Sequence, residues 1–343
     1  MRSSAGKSAK KSGERPAPQR AFDRELAELE SLGDRELTAA NVELLRGLLG
    51  HTNNFLVSKA AKRIAGAGLT QLLPELLAAY ARFFVDAVKS DPQCWAKTEL
   101  AKALVKFECH DAEVFIRGMR HIQLEPVWGG VSDTAGALRA ACTHALVACH
   151  SLSNARLLDL LLEPLVDSDK VVRMEAARAI GHAGGVSAAL ALKLRVLVGK
   201  EEPEMMGACF SALLGMDIEE NAAVALVTRF LGADDEVAGE AAFALAETHA
   251  PAALAGLIAR RKKTAGPWLY SVLDQAIALT RLAEGLEFLL DLLAREPRHA
   301  ESVLEAISRV YSSPEVRERV ETAVARADSS RASVAFRQFF PQI

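Results

Sequence analysis

The chain has 343 residues and a formal net charge of −3. Half of its residues are hydrophobic but only 6% are aromatic, so Ala and Leu dominate the apolar content and favour helices. The acidic balance argues against a broad DNA-binding face. The sequence contains no run of roughly 20 apolar residues, the length that is needed to span a bilayer. The five cysteines show no short paired spacings, which argues against a disulfide framework.

Residues 1–21 are predicted to form a disordered basic arm. The first twenty residues carry six Lys or Arg side chains and one Glu, a local charge of +5 that leaves −8 for the remaining chain. Because this stretch lacks the apolar core of a secretory signal, we expect a cytoplasmic protein. The alternative role for the arm is a tether to nucleic acid or to an anionic surface.

Residues 22–327 are predicted to form an all-α, right-handed α-α superhelix of about eight helical hairpins. Each hairpin would consist of an apolar helical segment, a short turn and a second helix with small or apolar residues at helical spacing. The predicted first helices are 41–49, 70–88, 113–122, 155–166, 188–198, 222–231, 252–260 and 286–294. Since one hairpin cannot bury its own apolar faces, the hairpins must stack on one another.

The first three second helices share one frame of inward residues. The frame contains Ala60, Ala61 and Ile64, then Lys97, Leu100, Ala103 and Leu104, then Arg139, Cys142, Ala145 and Leu146. Residues 94–150 also hold four Cys and four His side chains, but none of them shows the short pairing with which zinc is usually held. We therefore predict no metal or other cofactor, and we interpret Cys142 as a small core residue.

The segment 123–134 departs from the repeat because it is long, rich in Gly and contains Trp128. Inserted loops of repeat proteins often carry recognition, so one interpretation is a partner-binding loop. The alternative is a structural loop in which Trp128 covers the adjacent core while Asp133 or Thr134 caps the next helix.

The clearest repeat is DSDKVVRMEAARAIGHAGG, which starts at Asp167. Asp169 would cap the helix, and the inward residues would be Val172, Ala176, Ala177 and Ile180. The same frame returns 33 residues later at Cys209, Ala212 and Leu213, then after another 32 residues at Ala241, Ala244 and Leu245, with Asp234 as the cap. Weaker copies are predicted at 268–281 and 299–311.

This run resembles the second helix of HEAT repeats, and it is most similar to the short bacterial HEAT-like repeats also seen in phycobilin lyases. The resemblance covers about residues 36–311 and implies an armadillo-like helical solenoid. Deoxyhypusine hydroxylase, an enzyme of this fold, uses His-Glu dipeptides as metal ligands, and this chain contains no such dipeptide. We find no nucleophile arrangement and no phosphate-binding loop.

Two features lie near the C-terminus. The basic run 260–263 is interpreted as a solvated cluster at a helix end, with docking of an acidic partner as the alternative. Residues 328–343 are predicted to form a C-terminal cap or tail in which Phe336, Phe339 and Phe340 cover the end of the stack.

The predicted function is a non-enzymatic scaffold or adaptor that binds a protein partner along its concave face and loops. We predict that Lys97, Arg139 and Arg173 are exposed on that face, and the full set of predicted partner-binding residues is Trp128, Asp133, Arg139, Lys97, Arg173 and Trp95. Nucleic acid is not expected as a partner, except through the basic arm. The alternative function is an enzyme or enzyme subunit on a HEAT-like scaffold, similar to a phycobilin lyase or a DNA glycosylase.

Overall fold

A computed structural model describes residues 17–33, 37–216 and 220–341 of the chain. The described residues form an all-α repeat fold, which confirms the predicted fold class. The chain divides into two compact units, residues 1–149 and 150–343.

The first unit contains eight helices and one pair of short strands within the described range. Its helices are α1 (Ala17–Ser31), α2 (Ala39–Leu49), α3 (Asn54–Ala67), α4 (Leu73–Arg82), α5 (Ala87–Ser90), α6 (Trp95–Lys106), α7 (Ala112–Met119) and α8 (Gly136–Ala145). The strands β1 (Leu124–Val127) and β2 (Gly130–Asp133) lie between α7 and α8. Three hairpins, α2/α3, α4/α6 and α7/α8, follow one another, and the second helices α3, α6 and α8 pack in succession.

The second unit continues the repeat through twelve described helices. They are α9 (Asn154–Leu165), α10 (Lys170–Ala183), α11 (Gly185–Val198), α12 (Pro203–Leu214), α13 (Glu220–Thr228), α14 (Asp235–Glu247), α15 (Pro251–Arg261), α16 (Pro267–Leu279), α17 (Ala283–Arg295), α18 (Ala300–Val310), α19 (Pro314–Ala327) and α20 (Ser330–Phe339). The second helices α10, α12, α14, α16, α18 and α20 pack in succession, as do the first helices α13, α15, α17 and α19.

The predicted caps and inward residues of the repeats are confirmed. Asp169 accepts a hydrogen bond from the backbone N–H of Val171, and Asp234 accepts one from the N–H of Val237, so each side chain satisfies a free donor at a helix start. The inward residues named for the frames are buried, from Ala60 in α3 to Leu245 in α14, except Ala212, which is half-buried. Small side chains allow the second helices to approach closely, while Leu and Ile fill the space between them.

The sequence pattern predicts a loop between helices at residues 124–133. This prediction is wrong, because the chain forms an antiparallel β-hairpin there. Pro126 pairs with Val131 and Val127 pairs with Gly130. Gly129 has a φ of +88°, a conformation that a side chain rarely adopts, so the tight turn requires glycine. Trp128 at the turn does not cover the adjacent core, since its side chain is fully exposed (103%).

The expected exposure of Lys97, Arg139 and Arg173 is also wrong. Lys97 is 0% and Arg139 is 2% exposed. Each charge can be buried because it is paired with a carboxylate inside the first unit. Lys97 Nζ lies 3.1 Å from Asp91 Oδ2, and Arg139 Nη1 lies 2.5 Å from Asp133 Oδ2. Arg173 in the second unit is buried at the start of α10 by its own ion pairs.

The basic run 260–263 is only partly solvated. Arg261 is buried and donates from Nε and Nη2 to the two carboxylate oxygens of Asp274, at 2.6 and 3.1 Å. Ser302 donates to the same carboxylate at 2.7 Å, which ties α18 to α15 and α16. Lys262 and Lys263 remain exposed.

The two ends of the chain differ in how far the structure describes them. Residues 17–21 of the predicted arm belong to α1, and residues 1–16 lie outside the described residues. In the C-terminal segment, α20 packs on α18 and α19, the rings of Phe336 and Phe340 stack 5.4 Å apart, and Arg317 donates to the carbonyl of Phe340 at 2.9 Å. No helix of the described residues is long and apolar enough to cross a bilayer, and all five cysteines are free thiols.

Asp91 is expected to be essential for the stability of the first unit. Its carboxylate accepts hydrogen bonds from the backbone N–H groups of Ala96 and Lys97 and from Asn54, and it neutralises the buried ammonium of Lys97. Because Asp91→Ala leaves a buried charge without its partner, we expect the free energy of unfolding to fall by about 3–5 kcal/mol. Denaturant unfolding followed by circular dichroism measures this change.

The matched control is Asp159→Ala, which breaks an ion pair with Arg156 whose two side chains are both exposed. An exposed pair contributes less than about 1 kcal/mol, so the control should unfold almost like the unsubstituted chain. Equal stability of the two variants would contradict the assignment of Asp91.

Candidate ligand groove

The six residues predicted to bind a partner occupy three different settings. Trp128 and Trp95 present exposed rings, on the hairpin turn and at the start of α6. Asp133, Arg139 and Lys97 belong to a polar network at the base of the hairpin. Arg173 belongs to the second unit, where it has its own ion pairs.

The polar network holds the base of the hairpin in place. Glu125 Oε1 accepts hydrogen bonds from Thr134, from Gln123 and from the backbone N–H of Gln93, at 2.6 to 2.7 Å. Burial alone would raise the pKa of Glu125, but these hydrogen bonds outweigh it, and the pKa lies below the usual range. Asp133 follows the same rule, since hydrogen bonds from Gln123, Ala135 and Arg139 outweigh its burial and lower its pKa.

Arg173 links two successive hairpins. Its guanidinium donates to Glu201 at 3.1 Å and to Glu202 at 2.6 Å, and it also donates to the carbonyls of Asp167 and Ser168. All of these partners belong to the turns before α10 and α12, so Arg173 fixes the spacing of two repeats.

The second unit contains a groove along the successive second helices α10, α12 and α14. Its larger part has a volume of about 500 Å³ and extends from Arg178 and His182 on α10 to Glu204 on α12 and Glu240 on α14. A second part of about 320 Å³ shares Glu204 and Glu240 and continues to α16. Together the two parts are large enough for a small molecule or for a long side chain.

Glycines in the second helices create the space for this groove. A Cβ atom on Gly207 would overlap Glu240 Oε2, so the carboxylate of Glu240 lies across α12 only because residue 207 has no side chain. A Cβ atom on Gly181 would lie 2.9 Å from Cβ of Ala212, which shows the close approach of α10 and α12.

The end of the groove nearest α16 combines acidic and aromatic side chains. Glu204, Glu236 and Glu240 line it together with Phe243 and Trp268, and no Lys, Arg or His is among its lining residues. The Trp268 ring packs on Gly239, where an added Cβ would lie 3.1 Å from the ring. Both rings are partly exposed.

Glu240 is the carboxylate in an unusual electrostatic position. Burial raises its pKa, and the negative charge of Glu204 raises it further. Glu204 differs, because a hydrogen bond from its own backbone N–H and one from Lys170, at 3.0 Å, lower its pKa. Within the described part of the chain, no Lys, Arg or His lies within ion-pair distance of Glu240.

No three His, Cys, Asp or Glu side chains of the described residues are arranged to hold a metal ion. Three thiols of the first unit, those of Cys94, Cys142 and Cys149, are buried, and that of Cys109 is half-buried. Burial raises the pKa of Cys142 to about 12 and the pKa of Cys94 to about 12. Such thiols are protonated at neutral pH and are poor metal ligands.

The sequence interpretation missed the groove, although one signal for it was present. Gly181, Gly207 and Gly239 lie inside helices, where glycine is about 1 kcal/mol less favourable than alanine. An interior helical glycine therefore needs a reason in packing or function. Here the reason is the close approach of the next repeat, which also positions Glu240 and Trp268.

Comparisons with known proteins give information about the fold and not about the function. No known protein-family model matches the chain, and no curated protein matches it. One solved structure that matches is that of human deoxyhypusine hydroxylase in complex with glycerol, with 17% sequence identity, a TM-score of 0.30, and coverage of 77% of this chain and 99% of that chain. The similarity to phycobilin lyases stays a prediction from the sequence.

The match also corrects the predicted function. The match is to an enzyme, so the prediction of a non-enzymatic scaffold, and with it the prediction that the chain is not an enzyme, is withdrawn. At this identity and TM-score the likeness concerns the HEAT-like helical fold, and it transfers no activity to this chain.

Proposed function

We propose that the second unit binds an organic cation, in particular an alkylammonium group, in the groove between α12, α14 and α16. The main support for this proposal is Glu240, a half-buried carboxylate whose pKa is raised. Among the described residues, no cation neutralises it. The alkylammonium group belongs to a free amine or to part of a larger substrate.

The electrostatic argument starts from the cost of burying a charge. A carboxylate that is partly removed from water is destabilised unless a cation or hydrogen-bond donors compensate it. In the first unit, Asp91 and Asp133 have such partners. Glu240 lies instead beside Glu204, a second negative charge. A bound cation would relieve both the burial and the repulsion.

The aromatic side chains support the same ligand class. A cation over the face of Trp or Phe is attracted by about 0.5–2 kcal/mol, depending on how far it is removed from water. Trp268 and Phe243 line the groove with the three carboxylates, and Val272 adds an apolar contact. An alkylammonium ion suits this combination, because its charged end can meet the carboxylates while its methylene groups contact the rings.

A second candidate function is acid–base catalysis on the bound ligand, which is the enzyme alternative. A carboxyl group whose pKa is raised above its usual range keeps its proton at a higher pH, and such shifts are typical of catalytic acids and bases. Among the described residues that line the groove, Glu240 is the carboxylate with a raised pKa. His182 lines the larger part of the groove, and imidazole is a common general acid or base in enzymes.

We further propose a cytoplasmic location. It is supported by five cysteines that are all free thiols, four of them buried, as in proteins of reducing compartments.

Glu240→Gln tests the binding site directly. It keeps the size of the side chain but removes the negative charge, and a charge-assisted hydrogen bond contributes about 1.5–3 kcal/mol. We therefore expect the affinity for 1,5-diaminopentane, used as the probe, to fall by roughly tenfold or more in isothermal titration calorimetry.

The matched control is Glu247→Gln, which makes the same charge change two turns further along α14, outside the lining of the groove. It should bind the diamine nearly as tightly as the unsubstituted chain. An equal loss in both variants would indicate a diffuse electrostatic effect, and no loss in Glu240→Gln would refute the proposed site.

The affinity for the diamine should also depend on pH through Glu240. A cation binds the ionised carboxylate, so binding is strongest above the pKa of Glu240 and weakens as the pH falls through it. Because this pKa is raised, the weakening should start above the range of an ordinary glutamate, whose pKa is about 4.3. Titrations over a pH series should show this step in the unsubstituted chain and not in Glu240→Gln.

Gly207→Ala separates the groove from the stability of the stack. The added methyl group meets the flexible end of Glu240, so the carboxylate must move while the helices keep their places. We expect weaker diamine binding with a free energy of unfolding that changes by less than about 1 kcal/mol.

Gly181→Ala is the contrasting variant, since its methyl group meets the Cβ and backbone of Ala212 on α12. Overpacking of this kind costs about 1–3 kcal/mol, so this variant should unfold more easily. Unchanged diamine binding in Gly207→Ala would show that the position of Glu240 does not matter.

A further inference from the structure

The β-hairpin of the first unit projects an apolar tip. Residues 126–131, Pro-Val-Trp-Gly-Gly-Val, contain no charged side chain. Trp128 is fully exposed, Val131 is 65% exposed and Leu124 is 59% exposed, with Val127 and Ile122 about half exposed. An exposed apolar cluster of this kind marks an interaction site more often than an isolated surface residue does.

The charged residues of the hairpin point away from this tip. Glu125 is buried and Asp133 is largely buried, and both are held by the hydrogen bonds at the base. The tip is therefore carried by a fixed support. Each strand has four residues and a rise of about 3.4 Å per residue, so the hairpin extends roughly 13 Å.

An aromatic row connects the hairpin base to the N-terminal helix within the first unit. The rings of Phe22 and Phe55 lie 6.3 Å apart, and those of Phe55 and Trp95 lie 5.7 Å apart. Gln93, two residues before Trp95, donates its backbone N–H to Glu125 of the hairpin. The row therefore links α1, at Phe22, to the segment that holds the base of the hairpin.

Positive charges accompany this row. Lys59 Nζ lies 5.3 Å from the centre of the Phe55 ring, and Lys62 is exposed one turn further along α3. The twenty residues at the N-terminus, which lead into α1, contain six Lys or Arg residues and one Glu. A chain that combines cations with an apolar tip complements a surface that is negatively charged and has an apolar interior.

A lipid surface fits these features better than a nucleic acid or a protein. Protein surfaces that bind single-stranded nucleic acid stack the bases on aromatic rings, whereas most exposed side chains of this tip are aliphatic. Protein interfaces of ordinary size cover about 800 Å² on each partner and include directional hydrogen bonds, but the indole N–H is the only polar side-chain group at residues 126–131. Trp is enriched at the boundary between lipid headgroups and acyl chains.

We propose that this hairpin inserts Trp128 and its aliphatic neighbours into the interfacial layer of an anionic membrane, and that the N-terminal cations strengthen the attachment. Interfacial elements insert about 5–10 Å, which is within the length of the hairpin. One apolar insertion alone gives weak, reversible binding, and a second, electrostatic contribution makes it stable.

The test is sedimentation of the full chain with vesicles of phosphatidylcholine and phosphatidylserine in roughly a 3:1 ratio. We expect the unsubstituted chain to bind and its tryptophan fluorescence to shift to shorter wavelength. Trp128→Ala should weaken binding by about tenfold or more, because it removes a large apolar side chain from the membrane. Since Trp128 is fully exposed, the melting temperature should not change.

Leu194→Ala is the matched control, because it removes an apolar side chain that is 65% exposed on α11 of the other unit. It should bind vesicles like the unsubstituted chain, and raising the salt from about 0.1 to about 1 M should weaken the binding of both. No binding of the unsubstituted chain, equal losses in the two variants, or selective loss of binding to a single-stranded oligonucleotide in Trp128→Ala would overturn the proposal. Diamine binding is measured separately, so either proposal can fail alone.

Discussion

The close approach of successive second helices is the constraint on which the rest of the structure depends. A helical hairpin of this length leaves apolar faces uncovered, and only a neighbour at short distance can cover them. Alanines such as Ala176 and Ala241 permit that distance, and at Gly181 an added Cβ atom would overlap Ala212 of the next second helix. Larger apolar residues therefore fill the spaces between successive helical hairpins. Polar groups lie in the turns and on the faces that no neighbouring helix covers.

Two kinds of buried charge occur among the described residues, one neutralised by a partner and one without a partner. In the first unit, Lys97 and Arg139 are neutralised by Asp91 and Asp133, so the polar groups serve to hold a hairpin in place. In the second unit, Glu240 is left without such a partner among the described residues. A satisfied polar network specifies structure, whereas an uncompensated group at an open groove indicates a ligand.

Much of the fold was predictable from the sequence, because helical periodicity is a local signal. The frames at 60–64, 97–104 and 176–180 each identified a real second helix, and Asp169 and Asp234 were recognised as caps. The β-hairpin was not predicted, since its four-residue strands contain Pro126 and Glu125 and show no clear alternation. It exists because the network around Glu125 and Asp133 holds its base, and a long-range network leaves no local pattern.

The candidate site was less predictable for a related reason. Basic residues in a repeat were taken as surface groups, but Lys97 and Arg139 have carboxylate partners six residues away in sequence, and the burial of those partners depends on other helices. The groove depends on residues from three repeats, Gly207, Glu240 and Trp268, and spacing within one repeat cannot indicate such a combination.

The interior glycines have a consequence for how this protein could evolve. Gly181 faces Ala212, Gly207 faces Glu240 and Gly239 faces Trp268, so a gap in one repeat is occupied by a side chain of the next. Where the facing group is the flexible end of a side chain, as at Gly207, a mutation can thus change the chemistry of the groove while the facing helix keeps its place. Neighbouring repeats can diversify at such positions, and a new specificity can arise by exchanging one facing residue while the scaffold is inherited unchanged.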